Sequence, residues 1–217
     1  DGFKNNIIAK IVHIDGLGRF YKNDYSTMNN DDYNLIFFKL NEIDNDYSIS
    51  KLISNDCLAK YNGNSEGIYI NAIDSFNKKV FNIKEYLVEG EANDSSIIVG
   101  LGLANNMGIK INDYIYLIDY NNEKQIKESL SLLKVKVSGI YNINIPSYDE
   151  HVVFGTISSL SELFNIKDDK FSSLIISSAY DKNINIKDIY YDNSKYNFES
   201  LNERHYKFLN WLFSYDI

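Results

Sequence analysis

The chain has 217 residues, 44% hydrophobic and 24% charged, a balance that fits a folded globular protein and excludes a disordered or fibrous one. A chain of this length buries roughly 70% of the surface it exposes when unfolded, so it needs neither disulfide nor metal to hold a core. The net charge of −8 disfavours nucleic acid and anionic lipid, whose binding requires a basic surface.

Lone Cys57 and three histidines show no zinc-ligand spacing, and no metal or other cofactor is expected. The longest apolar runs, such as residues 114–118, are strand-sized and fall short of the roughly 20 residues that cross a bilayer. No basic segment precedes an apolar core as in a signal peptide. The start at Asp1 and the end at Ile217 read as cut from something longer.

Residues 7–14 (IIAKIVHI) are β-branched and precede Gly16 and Gly18, which predicts a first strand and a turn. Possible N-caps at 29–32 lead into Tyr33, Ile36, Phe37, Leu40 and Ile43, whose spacing predicts a helix over 32–43. Strands follow at 48–59 and 67–73, separated by the turn signal Asn62-Gly63, completing a β-α-β-β unit. Residues 81–90 predict a short helix stopped at Gly90. Beyond Glu89 the texture changes to short β-rich segments at 96–99, 114–119, 134–141 and 152–154, interrupted by a helical turn or two at 101–107 that Gly108 closes. A boundary is expected near Glu89.

Ser159-Leu-Ser-Glu162 and Ser200-Leu-Asn-Glu203 have capping-box spacing, and each opens an expected helix. In the second, Leu201, His205, Phe208 and Leu212 share a face with Leu209 and Phe213 beside them. Strands are expected at 171–177 and 188–191. The β/α alternation returns here, so the middle of the chain reads as an insertion.

Residues 99–104 (VGLGLA) follow a strand and open a helix, as a dinucleotide fingerprint would, but Asn105 stands at the third glycine position and a turn-and-cap reading is the simpler one. No Walker lysine follows a glycine loop, and G-x-S-x-G is absent. His13, His151 and His205 lie in no nucleophile-activating motif. His205 reads as a half-buried packing residue. Tyr148-Asp149-Glu150 offers paired carboxylates for acid-base work, or simply a solvated turn. Cys57 reads as a small core residue. No catalytic residue is assigned.

The segment joining the strands at 114–119 and 134–141, residues 120–133 (YNNEKQIKESLSLL), is longer than the two to five residues usual for a hairpin. Asn121, Glu123, Lys124, Ile126, Lys127, Leu130 and Leu132 make it a candidate partner-docking arm, with Ile126, Leu130 and Leu133 spaced as an apolar stripe. The alternative is an arm packed back on its own sheet.

Residues 96–118 (SIIVGLGLANNMGIKINDYIYLI) resemble an "ilG..lA..lg...GD.v.l" pattern, at Gly100, Leu103, Ala104, Gly108 and Asp113, from the extracytoplasmic domain of the ABC-transporter permease family that includes the LolC/LolE lipoprotein-releasing, MacB-like and FtsX-like permeases. Asn112 stands where that family has glycine. Residues 1–3 are similar to the segment after the first membrane helix, 67–90 to a "gv.v.Gid" run, 136–163 to a stretch carrying Gly139, Tyr148 and Asp149, and Glu203-Arg204 with Phe208 and Leu209 to the segment leading into the second membrane helix.

The resemblance implies an α+β, MacB-like periplasmic domain. Its β-α-β type porter subdomain would be built from 1–88 and 158–217, with a β-rich sabre subdomain inserted at 89–157. It implies a non-catalytic, periplasmic part of an inner-membrane protein. The domain would work with an ATP-binding subunit and a second permease copy or paralogue, and would contact lipoprotein or a LolA-like chaperone through the arm. Helix 201–215, with Leu201, Phe208 and Leu212, would be the coupling helix. A MacB-like efflux or FtsX-like regulatory domain is the first alternative, and a free-standing secreted enzyme the second.

Overall fold

The computed structural model describes residues 2–43, 47–78, 82–119, 131–165, 169–178 and 194–209. In chain order the elements are α1 (Gly2–Asp15), β1 (Gly18–Lys22), α2 (Asn30–Ile43), β2 (Tyr47–Tyr61), β3 (Asn64–Ile73), a 3-10 turn (Ile83–Tyr86), β4 (Leu87–Gly90), β5 (Ile97–Gly100) and α3 (Leu101–Met107). Then come β6 (Tyr114–Asp119), β7 (Ser131–Tyr141), α4 (Pro146–Asp149), β8 (Val152–Thr156), α5 (Ile157–Phe164), β9 (Ser173–Ser178), β10 (Tyr196–Ser200) and α6 (Leu201–Arg204). The fold is α+β. Contacts divide it into one unit of Asp1–Lys51, Lys79–Phe81 and Lys170–Ile217 and another of Leu52–Lys78 and Asn82–Asp169.

The first unit is made from both ends of the chain. The strand expected at 7–14 is instead part of helix α1, because Ile7, Ile8, Ile11, Val12 and Ile14 also fit a helical stripe, and burial selects that reading: Ile11 and Ile14 are wholly buried. Gly16 (φ +71°) ends the helix, its N–H donating to Val12 O at 2.9 Å. Helix α2 starts two residues earlier than predicted. Asn29 Oδ1 accepts the N–H groups of Asp31 and Asp32, and Asp32 Oδ2 accepts that of Asn29, a reciprocal cap. Strands run β10-β1-β9, the pairs antiparallel, and β2 follows β9 in the order. Strands β1 and β10 have no counterpart among the expected elements. The strand expected at 171–177 is β9, with Phe171 displaced into an isolated bridge to Met28. That expected at 188–191 lies outside the described residues.

The second unit is a closed ring of strands. β2 pairs β3, β3 pairs β8, β8 pairs β5, β5 pairs β7, β7 pairs β6, and β6 returns to β2. β4 adds to β7 beyond the end of β6. The β2–β3 hairpin turns where sequence places it, with Asn62 and Gly63 both at positive φ (49° and 83°), as a two-residue turn matched to strand twist requires. Alternation along each strand sends Cys57, Ala59, Ile68, Ile70, Ile115, Leu117, Val135, Val137 and Val153 into the core.

Helix α5 packs on β3, β6, β7 and β8 through Leu160, Leu163 and Phe164. Its cap is Thr156 rather than Ser159: Thr156 Oγ1 accepts the N–H of Ser159, and Ser159 Oγ accepts that of Thr156, both at 3.1 Å. The helix expected at 81–90 is only the 3-10 turn Ile83–Tyr86, continued by strand β4. Helix α3 matches its predicted bounds, with Gly108 left-handed at φ +74°.

This division differs from the boundaries expected at 88/89 and 157/158. In the contact division β2, β3 and α5 join the β-rich unit through partners distant in sequence, which composition does not register.

Candidate functional site

The most concentrated polar chemistry in the first unit gathers on Asp15, the last residue of α1. Gly16 turns the chain there, so Arg19 of β1 returns to the same carboxylate and pairs with it. The capping box at the other end of the unit, Ser200 with Glu203, sets the start of α6. It brings Arg204 Nη2 to 3.0 Å and His205 Nε2 to 2.8 Å from Asp15 Oδ2. Arg204 Nε also faces Glu199 Oε2 at 3.5 Å, and Leu201 N–H donates to Leu17 O at 2.9 Å.

Asp15 is 2% exposed and Arg19 is 7% exposed. Burial alone would raise the Asp15 carboxyl pKa. The charge of Arg19, the hydrogen bond with His205 and the charge of Arg204 overcome it and hold the group well below the usual carboxylate range. A carboxylate so matched is a poor proton acceptor. What it does is join the final turn of α1 to the first turn of α6.

Sequence reasoning reached His205 only as a packing residue and missed Asp15 and Arg19. The available signal was that the chain has two arginines, both of which end here. A second knot has the same logic. Asp32 of α2 receives Lys22 at 3.0 Å, Lys195 at 2.9 Å and the Tyr196 hydroxyl at 2.6 Å. Its burial is outweighed by the Tyr196 and Lys195 hydrogen bonds, then those of the Asn29 N–H and Lys22, and its pKa is lowered.

The coupling helix expected over 201–215 is interrupted. α6 ends at Arg204, His205 is a turn, and helical geometry resumes at 206–209. Leu201 and Leu209 are buried and Phe208 is half-buried, while Leu212 lies outside the described residues. Of the expected docking arm, Asn121, Glu123, Lys124, Ile126, Lys127 and Leu130 also lie outside them. Leu132 belongs to β7 and is 58% exposed.

Asp149 and Cys57, two of the residues that could have done chemistry, are occupied with structure. Asp149 is buried and accepts the N–H groups of Ile143 and Ile145 at 2.9 and 3.0 Å, fixing the loop before α4. The solvated-turn reading therefore fails for Asp149, although Tyr148 and Glu150 are half-buried. A Cβ on Gly100 would strike the Asp149 backbone, and one on Gly102 would meet Asp149 and Glu150. Gly100 is the N-cap of α3, so residues 99–104 make a strand-to-helix turn as the turn-and-cap reading expects, and the two glycines let the backbone approach residues 149 and 150 closely. Cys57 is wholly buried, and burial, with Asp119 and Asp56 nearby, pushes its thiol up to about 12. Among the described residues no group of three His, Cys, Asp or Glu side chains is placed to hold a metal.

In the second unit, Asp113 accepts the Tyr61 hydroxyl at 2.6 Å and the Lys110 N–H at 2.8 Å. Asn112 beside it is left-handed at φ +72°, the conformation for which glycine is the default residue. A groove of about 460 Å³ lies next to this turn, lined by Asn112, Glu91, Asn93, Ser95, Lys136 and Ser138 among others.

Solved domains of similar fold include the extracytoplasmic parts of ABC-type transporter permeases. The chain is similar to the extracellular domain of the noncanonic ABC-type transporter YknZ from Gram-positive bacteria, at TM-score 0.52 and 13% identity over 79% of this chain and 86% of that one. It is also similar to the periplasmic region of MacB from Actinobacillus actinomycetemcomitans, at TM-score 0.52 and 10% identity over 94% of this chain and 98% of that one. The likeness is one of fold. No family model and no curated protein matches the sequence.

Proposed function

We propose that this chain is the extracytoplasmic domain of an ABC-type transporter permease, a non-catalytic part that passes motion from a membrane-embedded, ATP-driven machine to a cargo outside the cytoplasm. One observation carries the reading. The fold is similar to that of the MacB periplasmic region at TM-score 0.52, with 94% of this chain and 98% of the other covered. The Asp15 knot supports it mechanically. Helix α1 arrives at the point from which α6 departs, and four charged or ionisable side chains clamp that point, so displacement of either helix is delivered to the other.

For the cargo, the likeness of residues 1–3 to the segment that follows the first membrane helix in LolC-type permeases supports a LolC/LolE-type permease that releases lipoproteins from the inner membrane. It would work with an ATP-binding subunit, a second permease copy or paralogue, and a LolA-like chaperone. The likeness to MacB and YknZ favours a second reading, export of another substrate through the same kind of machine.

The test is to express the full parent reading frame with its neighbouring ATP-binding subunit, purify the membrane complex and reconstitute it in vesicles. Co-purification of the two proteins with ATP-dependent transfer of a lipoprotein to a soluble chaperone is the expected result. Absence of any ATP-binding subunit would sink the transporter reading. ATP turnover indifferent to lipoprotein but raised by a membrane-fusion protein would select the second reading.

A further inference from the structure

The second unit carries, on the outer side of three neighbouring ring strands, a face whose chemistry the fold does not use. Alternation along β6 buries Ile115 and Leu117 and leaves Tyr114 and Tyr116 at 53% and 40% exposure. The β2–β6 and β6–β7 registers then set side chains in cross-strand rows. Leu58, Ile118 and Leu132 form one row, of which Ile118 is buried, Lys60, Tyr116 and Lys134 the next, and Tyr114 and Lys136 a third. Lys134 Nζ lies 5.3 Å from the Tyr114 ring centre and 5.8 Å from that of Tyr116, which holds the ammonium over the aromatic surface.

None of these eight positions is acidic, although the chain as a whole has net charge −8; the exposed carboxylate on the same side of β2 is Asp56, one row beyond Leu58 and two beyond Lys60. Lys136 also lines the groove beside Asn112 and Ser138, so the face continues into a polar recess.

We propose that this face docks an extended acidic segment of a partner protein, carboxylates meeting Lys60, Lys134 and Lys136 and apolar side chains lying on Tyr114, Tyr116 and Leu132. Charge complementarity selects an anionic occupant. The mixture selects a polypeptide: a phosphate polymer or anionic bilayer would use only three cations, leave the tyrosines and Leu132 idle, and be repelled by the remaining surface. Rows recur about every 7 Å along a strand, the spacing of alternate side chains in an extended peptide. Strand β6 is flanked on both sides by β2 and β7, so the segment binds through side chains rather than by adding a strand. The inference goes beyond the transporter reading, which assigns no contact residue, and stands whether or not that reading holds.

The experiment measures fluorescence anisotropy of a labelled eight-residue peptide alternating Glu and Val, against one alternating Lys and Val, with the full 217-residue chain at low and physiological salt. The Glu/Val peptide binds and the Lys/Val peptide does not. Lys60→Glu with Lys134→Glu weakens binding by about tenfold or more, and Tyr114→Ser with Tyr116→Ser by about fivefold, while Lys207→Glu in the other unit changes it by less than about twofold. Circular dichroism confirms that each variant is folded, and Lys134→Gln with Lys136→Gln replaces the charge reversal if that pair unfolds the chain. Equal binding of both peptides, no binding of the Glu/Val peptide, or full affinity in the lysine variants overturns the proposal. So does tighter retention on phosphatidylglycerol vesicles than on the peptide, or self-association that the lysine variants abolish, which would assign the face to a membrane or to a second copy.

Discussion

A carboxylate that is 2% exposed must be matched by donors or it destabilises the fold, and Asp15 is matched by Arg19, Arg204 and His205 together. Removing its charge while keeping its shape leaves two guanidinium groups without their common anion. Asp15→Asn is therefore expected to cost about 3 kcal/mol in urea unfolding. The pH dependence has a definite sign. Because the folded-state pKa is depressed, the stabilisation is complete above the unfolded value near 3.8 and is lost as pH falls below it towards the folded value. The wild-type chain should lose more stability than Asp15→Asn between about pH 5 and pH 3. An equal loss in both would show that the acid sensitivity lies at other carboxylates whose pKa is also lowered, Asp32 and Asp113 among them.

Asn112 makes a different residue-scale prediction. At φ +72° a Cβ is strained, and the asparagine side chain relieves part of that strain, so Asn112→Gly should be neutral or stabilising and Asn112→Ala should cost about 1 kcal/mol by the same measurement. The pattern that residues 96–118 resemble has glycine at this position, and the backbone angle supplies the physical reason.

At the scale of elements, what sequence revealed and what it hid follow one division. Where a local signal decides the structure, the reading held: the Asn62-Gly63 turn, α3 closed by Gly108, the bounds of β6 and the Ser200–Glu203 box were all legible because each is settled within a few residues. Residues 7–14 satisfy both a strand composition and a helical stripe, and only burial of Ile11 and Ile14 chooses between them. Asp15 was invisible for the same reason, since its partners Arg204 and His205 come from the other end of the chain. The box at the start of α5 lay within reach but one turn away from the position expected. Thr156→Val should cost about 1–2 kcal/mol, because it loses both the Ser159 N–H and the hydroxyl's 2.6 Å bond to Asp94 O. Glu162→Ala, in the box expected from spacing, should change stability by less than about 0.5 kcal/mol. Thermal or urea unfolding of the two variants side by side decides between the two caps.

For the whole molecule, the consequence of ring closure is that the second unit cannot be trimmed to its β-rich sequence. A fragment of residues 89–157 would keep β5, β6, β7 and β8 but lose β2 and β3, leaving β6 without its β2 partner and β8 without its β3 partner. It would also lose α5 beyond Ile157 and with it Leu160, Leu163 and Phe164, which are buried against the strands. Open edges and an uncovered core favour aggregation over folding. A fragment of residues 52–169 keeps every pairing of the ring and its covering helix. Expressed separately, the 52–169 fragment should give a strand-rich circular dichroism spectrum and one cooperative urea transition, and the 89–157 fragment should give neither. If the shorter fragment folded as well as the longer, the pairings that bring β2, β3 and α5 into the inserted unit would not be the ones that hold it together.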